Sequence, residues 1–100
     1  MDKYTVKMFP QAYRDIDKIY EQALLVSNYA DDAIALAEKL EKAILSLEEQ
    51  PYRGAERKYG FYAFKGYRQL TVENYIIIYE VFENEKVVAV VTVKYGKSEF

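Results

Sequence analysis

Between residues 51 and 68, basic and aromatic side chains interleave in a pattern that suits contact with RNA. Arg53, Arg57, Lys58, Lys65 and Arg68 stand against the single acid Glu56. Tyr52, Tyr59, Phe61, Tyr62, Phe64 and Tyr67 are set among them. Cations hold phosphate oxygens, and exposed rings stack on unpaired bases. On this reading Arg53, Arg57, Lys58, Lys65 and Tyr67 form an RNA- or target-binding set. Lys94 and Lys97 join it if the last strand ends near the loop. The same rings have a plainer use, because aromatic side chains in a long loop often pin that loop to its own core.

Other chemistries are closed off by what is missing. The chain has no histidine and no cysteine. It therefore lacks the usual general base near neutral pH, the commonest transition-metal ligand and any thiol nucleophile. There is no glycine-rich phosphate loop of the GxxxxGK type. Neither a metal nor an organic cofactor is expected.

The 100 residues suit one domain spanning 1–100, and half of them are apolar. A domain of this size buries roughly two thirds of its unfolded surface without staples. No run of ~18 apolar residues occurs and no signal peptide is recognised, which points to a cytoplasmic protein. The net charge of −2 is unevenly spread: residues 1–50 carry six bases against ten acids, so the basic stretch is local.

The elements that must position these residues can be read in order. Residues 4–9 alternate as a strand, and Pro10 is placed to open a helix. Ala12, Tyr13, Ile16, Ile19, Tyr20, Ala23 and Leu24 form the apolar stripe of a helix running to about Ser27, with Asp15 off the stripe. Asn28 and Tyr29 break it. Asp31 and Asp32 then sit at the start of a second helix that Pro51 ends, with a seam of Ala33, Ala37, Leu40, Ile44 and Leu47. From Gly66 to Val93 three antiparallel strands follow: a weaker one over 67–72, an almost unbroken apolar one over 75–82 covered on both faces, and a last one through VVAVVTV. Asn74 and Asn84 are the residues expected to take positive φ in the two turns. The fold class is α+β, in the order β-α-α-β-β-β, with a helical hairpin on a four-stranded, mainly antiparallel sheet. Ile77, Leu70, Val90, Ile16 and Leu40 are its expected core.

The ordered set YTVKMFPQAYRDIDKIY, LEKAILSLEEQPYRG, GYRQLTVENYIIIYEV and VVAVVTVKYGKSEF resembles the RelE/ParE superfamily, the plasmid-stabilisation toxins of bacterial type II toxin–antitoxin operons. The resemblance covers nearly the whole chain. It implies a toxin wrapped and silenced by a cognate antitoxin. RelE-like members cut messenger RNA on the ribosome with Lys, Arg and Tyr, whereas ParE-like members poison DNA gyrase. If the chain is RelE-like, the resemblance makes Arg68, Lys94, Tyr95 and Lys97 its catalytic residues. It departs from the nuclease pattern where Tyr75 is followed by Ile76 instead of an arginine, and where Lys94, Tyr95 and Lys97 stand for a C-terminal basic pair.

Cleavage by 2′-hydroxyl attack needs cations on the pentacovalent phosphate and a group to move protons. Ile76 supplies neither. Three readings stay open: a ParE-like gyrase inhibitor, preferred because it needs only surface; a RelE-like ribosome-dependent endoribonuclease; and a non-toxic relative that keeps the fold. Arg68 has a structural alternative, a salt bridge to Glu80 or Glu73.

Overall fold

The computed structural model describes residues 3–26, 29–58, 60–63 and 65–97. Tyr59 and Phe64 of the aromatic loop, and Ser27 and Asn28 at the break between the helices, lie outside the described residues. The elements are β1 (Thr5–Met8), α1 (Pro10–Val26), α2 (Ala30–Leu45), β2 (Ala55–Glu56), β3 (Tyr67–Val72), β4 (Tyr75–Phe82) and β5 (Val87–Tyr95). One sheet runs in the order β1-β5-β4-β3-β2, and among the described residues the parallel pair is β1 with β5, the others being antiparallel. This is the expected α+β arrangement with one more strand than expected. The extra strand, β2, is two residues long and has no alternation of its own. It forms because residues beside Gly54 reach the edge of β3, where Ala55 meets Gln69 and Glu56 meets Arg68.

Pro10 opens α1, where its missing N–H costs nothing. The second helix ends at Leu45, earlier than Pro51 requires. A 3₁₀ turn, Ser46–Glu48, follows, and the Ser46 hydroxyl donates to the Ala43 carbonyl at 2.6 Å, drawing that oxygen away from the helical ladder. In the two hairpin turns the positive φ belongs to Glu73 and Lys86, both at 54°, and not to Asn74 or Asn84. Each of these residues has a side-chain partner: Glu73 accepts from Lys39 at 2.6 Å, and Lys86 donates to Glu83 of its own turn at 2.9 Å and to the Tyr4 hydroxyl at 3.4 Å.

Alternation along β4 sends Tyr75, Ile77, Tyr79 and Val81 toward the helices and Ile76, Ile78, Glu80 and Phe82 to the outer face. Ile77, Leu40 and Val90 are fully buried with Leu70 close by, while Ile16 packs at the margin of the same core. Burying a side chain of this kind contributes about 1.5–3 kcal/mol. Along β5 the alternation is interrupted. Ile78 pairs with Thr92 but Tyr79 pairs with Val90, so Val91 is an extra residue and the strand carries a bulge. Val90 and Val93, three apart, therefore both face the helices. Thr92 and Lys94 turn to the outer face, opposite Ile78 and Ile76.

Candidate functional site

Among the described residues no helix packs on the outer face of the sheet, yet the centre of that face is closed. Ile78 and Thr92 are fully buried there, with Ile76 and Ala89 nearly so. The segment after β2 folds back over the β3 side of this face. Arg57 donates to Gln69 Oε1 at 2.7 Å, and its backbone N–H donates to the Tyr67 carbonyl at 2.9 Å. The Tyr62 ring meets Tyr67 edge-on at 5.1 Å. At the other end the backbone of Gly96 abuts Ile76. Gly60 and Gly66, with φ of 80° and 86°, allow the segment to turn back. Among the described residues of this segment, Lys58, Phe61 and Lys65 keep their side chains exposed, with the Lys65 ammonium 4.2 Å from the centre of the Phe61 ring.

Arg57 does not join that exposed set. It is almost wholly buried, and its guanidinium reaches the Gln69 side-chain oxygen from under the loop. Lys58, Lys65 and Tyr67 lie on or beside the loop as the sequence suggested, and Arg53 is exposed nearby, donating to Ser46 Oγ at 2.7 Å.

Lys94 is engaged by a residue that the sequence placed at the surface. Strand β1 ends at Met8, opposite Val90, while β5 continues to Tyr95, so on the β1 side no strand lies beside the Val93 N–H. Asp15 of α1 takes that N–H at 3.1 Å. The carboxylate also accepts from the Thr92 hydroxyl, from Gln11 Nε2 at 2.7 Å and from Lys94 Nζ at 3.5 Å. Burial alone would raise its pKa. The bonds from Thr92, the Val93 N–H and Gln11, with the Lys94 charge, outweigh burial and hold it below the usual carboxylate value.

Arg68 is engaged too, though not by Glu80 or Glu73. Its guanidinium donates to the Gly54 carbonyl at 2.6 and 3.0 Å and to the Tyr52 carbonyl at 3.3 Å, and it lies 5.2 Å from the centre of the Tyr52 ring. The Gly54 N–H donates to the Tyr79 hydroxyl at 3.0 Å. A Cβ on Gly54 would collide with the Gln69 carbonyl and that hydroxyl, so only glycine fits this crossing. Next to it, Glu83 accepts from the Tyr52 and Tyr4 hydroxyls and from Lys86. The bond from Tyr52, then those from Lys86 and Tyr4, bring the Glu83 carboxyl down to about 2, and the bond to Glu83 pushes the Tyr52 phenol up to about 12.

The four residues proposed for RNA cleavage do not converge. Arg68 pairs with Tyr79 and Tyr95 with Tyr75, both on the helix side, at opposite ends of the sheet. Tyr95 packs on Tyr75 at 5.8 Å. Lys94 is on the outer face, and Lys97 lies exposed beyond the end of β5.

Residues 6–100 match the sequence model of a family described as ParE toxin of type II toxin-antitoxin system, parDE. The chain belongs to that family. This ParE-family chain is similar in fold to a chain of the chromosomal ParDE toxin–antitoxin system of P. aeruginosa, with a TM-score of 0.75 at 20% identity over 93% of this chain and 96% of that one. It is similar to a chain of the toxin–antitoxin complex RelBE2 from Mycobacterium tuberculosis, with a TM-score of 0.65 at 21% identity over 95% and 93%. The intact RelBE toxin–antitoxin complex of E. coli gives 0.64 at 16% over 95% and 99%. No curated protein matches it in sequence.

In this ParE-family domain the residues that sequence reasoning missed are Asp15, Thr92, Glu83 and Tyr4. Asp15 has one weak signal: it lies between Ala12 and Ile19, at spacings that put it beside the apolar stripe. Glu83 and Tyr4 are 79 residues apart, and no local pattern joins them.

Proposed function

We propose that this chain is a cytoplasmic toxin silenced by a cognate antitoxin, and that it acts by binding DNA gyrase rather than by cutting RNA. One observation carries the choice. A nuclease of this kind needs several cations and a proton carrier around one phosphate, held within about 0.5 Å of productive geometry. Here Arg68 and Lys94 are on opposite faces of the sheet, each is already bonded, and the outer-face neighbour of Lys94 is Ile76. An inhibitor that works by contact needs no such convergence. The test is a pair of assays on purified protein: gyrase supercoiling, expected to be inhibited, and ribosome-dependent cleavage of messenger RNA, expected to be absent. Codon-positioned cleavage without gyrase inhibition would reverse the choice.

The antitoxin in this reading is an amphipathic, partly acidic segment that folds over the exposed cations of the loop, Arg53, Lys58 and Lys65. Co-purification of the cognate pair at low salt is the expected result, and a pair that fails to associate would remove the idea.

A further inference from the structure

The last turn of α1 and the residue that leads into α2 expose apolar side chains where a small domain has least reason to. Leu25 and Val26, the last residues of α1, are 86% and 87% exposed, and Tyr29 just before α2 is 72% exposed. Beside them a hollow of about 380 Å³ is lined by Gln22, Ala23, Val26, Tyr75 and Tyr95. Scattered exposed apolar residues are ordinary, but a group of this size at one end marks a surface that another molecule covers.

The charge around it narrows what that molecule is. On the hairpin, from Ile19 to Glu38, the chain holds Glu21, Asp31, Asp32 and Glu38 and no lysine or arginine; of the nearest cations outside it, Lys39 pairs with Glu73 and Lys94 with Asp15, while Lys97 lies exposed beyond Tyr95. An anionic lipid surface or a nucleic acid would be repelled. A symmetric pair of copies joined at this surface would bring two acidic patches together. The exposed loop cations lie toward the start of β3, at the far end of the sheet from Tyr75 and Tyr95, so an acidic antitoxin segment suits that other end.

Resting on the reading of this chain as a protein-binding toxin, we propose that the hairpin tip is the surface that engages the target, and that the target segment it takes is apolar with flanking lysines or arginines. Leu25 and Val26 are the anchors, and Glu21 and Asp31 meet the bases.

The test is the double variant Leu25→Lys/Val26→Lys. Cations at the end of α1 suit the helix dipole, and both side chains are exposed, so the fold is not at stake. With purified gyrase, half-inhibition of supercoiling is expected to need at least about thirtyfold more variant than parent. Melting temperature and binding to the cognate antitoxin should be unchanged. Asp31→Lys should weaken inhibition less and should flatten its salt dependence. Leu45→Lys, an exposed apolar position on α2 away from the tip, should behave as the parent. A double variant that inhibits as well as the parent overturns the proposal. So does one that keeps inhibition and loses the antitoxin, which would assign the tip to that partner, or a parent that dimerises through the tip. A parent that leaves supercoiling untouched removes the gyrase reading first and this inference with it.

Discussion

Two carboxylates in this domain gather nearly the same company and do different things with it. Asp15 accepts from a hydroxyl, an amide side chain, a backbone N–H and Lys94. Glu83 accepts from two tyrosine hydroxyls and Lys86. Both are held below the usual carboxylate value. Asp15 is buried and closes the edge of β5 beyond the end of β1, whereas the Glu83 side chain is half exposed and water competes for each of its bonds. The difference teaches that partners alone do not set the worth of a charge. What matters is whether the donors would find water if the charge were gone.

The largest break in that comparison is Asp15→Ala. It leaves the Thr92 hydroxyl and the Val93 N–H buried without an acceptor, and should cost about 3 kcal/mol or more. In a domain of 100 residues that lowers the midpoint of thermal unfolding by roughly 12–20 °C. Glu83→Gln, measured the same way, should leave the midpoint nearly unchanged. Equal losses in the two variants would show that burial is not what separates the sites.

Acid titration sharpens the same contrast. The folded pKa of Asp15 is below its unfolded value, so the stability it contributes is present above the unfolded value near 4 and is lost as pH falls through the folded one. Parent protein should lose stability in chemical denaturation between about pH 5 and pH 2. Asp15→Asn should be less stable than parent at pH 7 and converge on it toward pH 2. A constant gap at all pH values would remove the charged form of Asp15 from the account.

A smaller effect is expected at Lys94, which is partly exposed and sits at 3.5 Å from Asp15. Lys94→Met should cost less than about 1 kcal/mol, and the loss should shrink in high salt. It should also leave gyrase inhibition intact, since in the present reading Lys94 serves the fold and not the target. The smallest effect belongs to Tyr52. Its phenol, raised to about 12 by Glu83, should titrate later than an exposed tyrosine in an ultraviolet or NMR titration. That contribution is full below pH 10, the unfolded value, and lost as pH rises through about 12. Glu83→Gln should bring the titration back toward the ordinary value with no loss of fold.

Much of the architecture was legible in the chain itself. The apolar run after Tyr75, the stripe from Ala12 to Leu24 and the placing of Pro10 are local patterns, and local patterns follow from the periods of helix and strand. The order of these elements also carried the family resemblance. Ile76, at the position where the resemblance implies an arginine in the nuclease relatives, was visible without coordinates and supports the proposed function.

What needed the tertiary structure was every fact that joins distant residues or breaks a period. The bulge at Val91 shifts Thr92 and Lys94 to the outer face; strict alternation would have put Lys94 on the same side as Val88 and Val90. Asp15 is polar and looks external until the early end of β1 leaves a backbone donor beside it. Arg57 reads as a surface cation in a basic loop, and the fold encloses it over Gln69. Positive φ fell to Glu73 and Lys86 and not to the neighbouring asparagines; Glu73 pairs with Lys39 of α2, and Lys86 with Glu83 of its own turn. Periodicity reports on neighbours a few residues apart, whereas burial of a charge depends on which chain segments meet, and that is decided only when the sheet and hairpin close on each other.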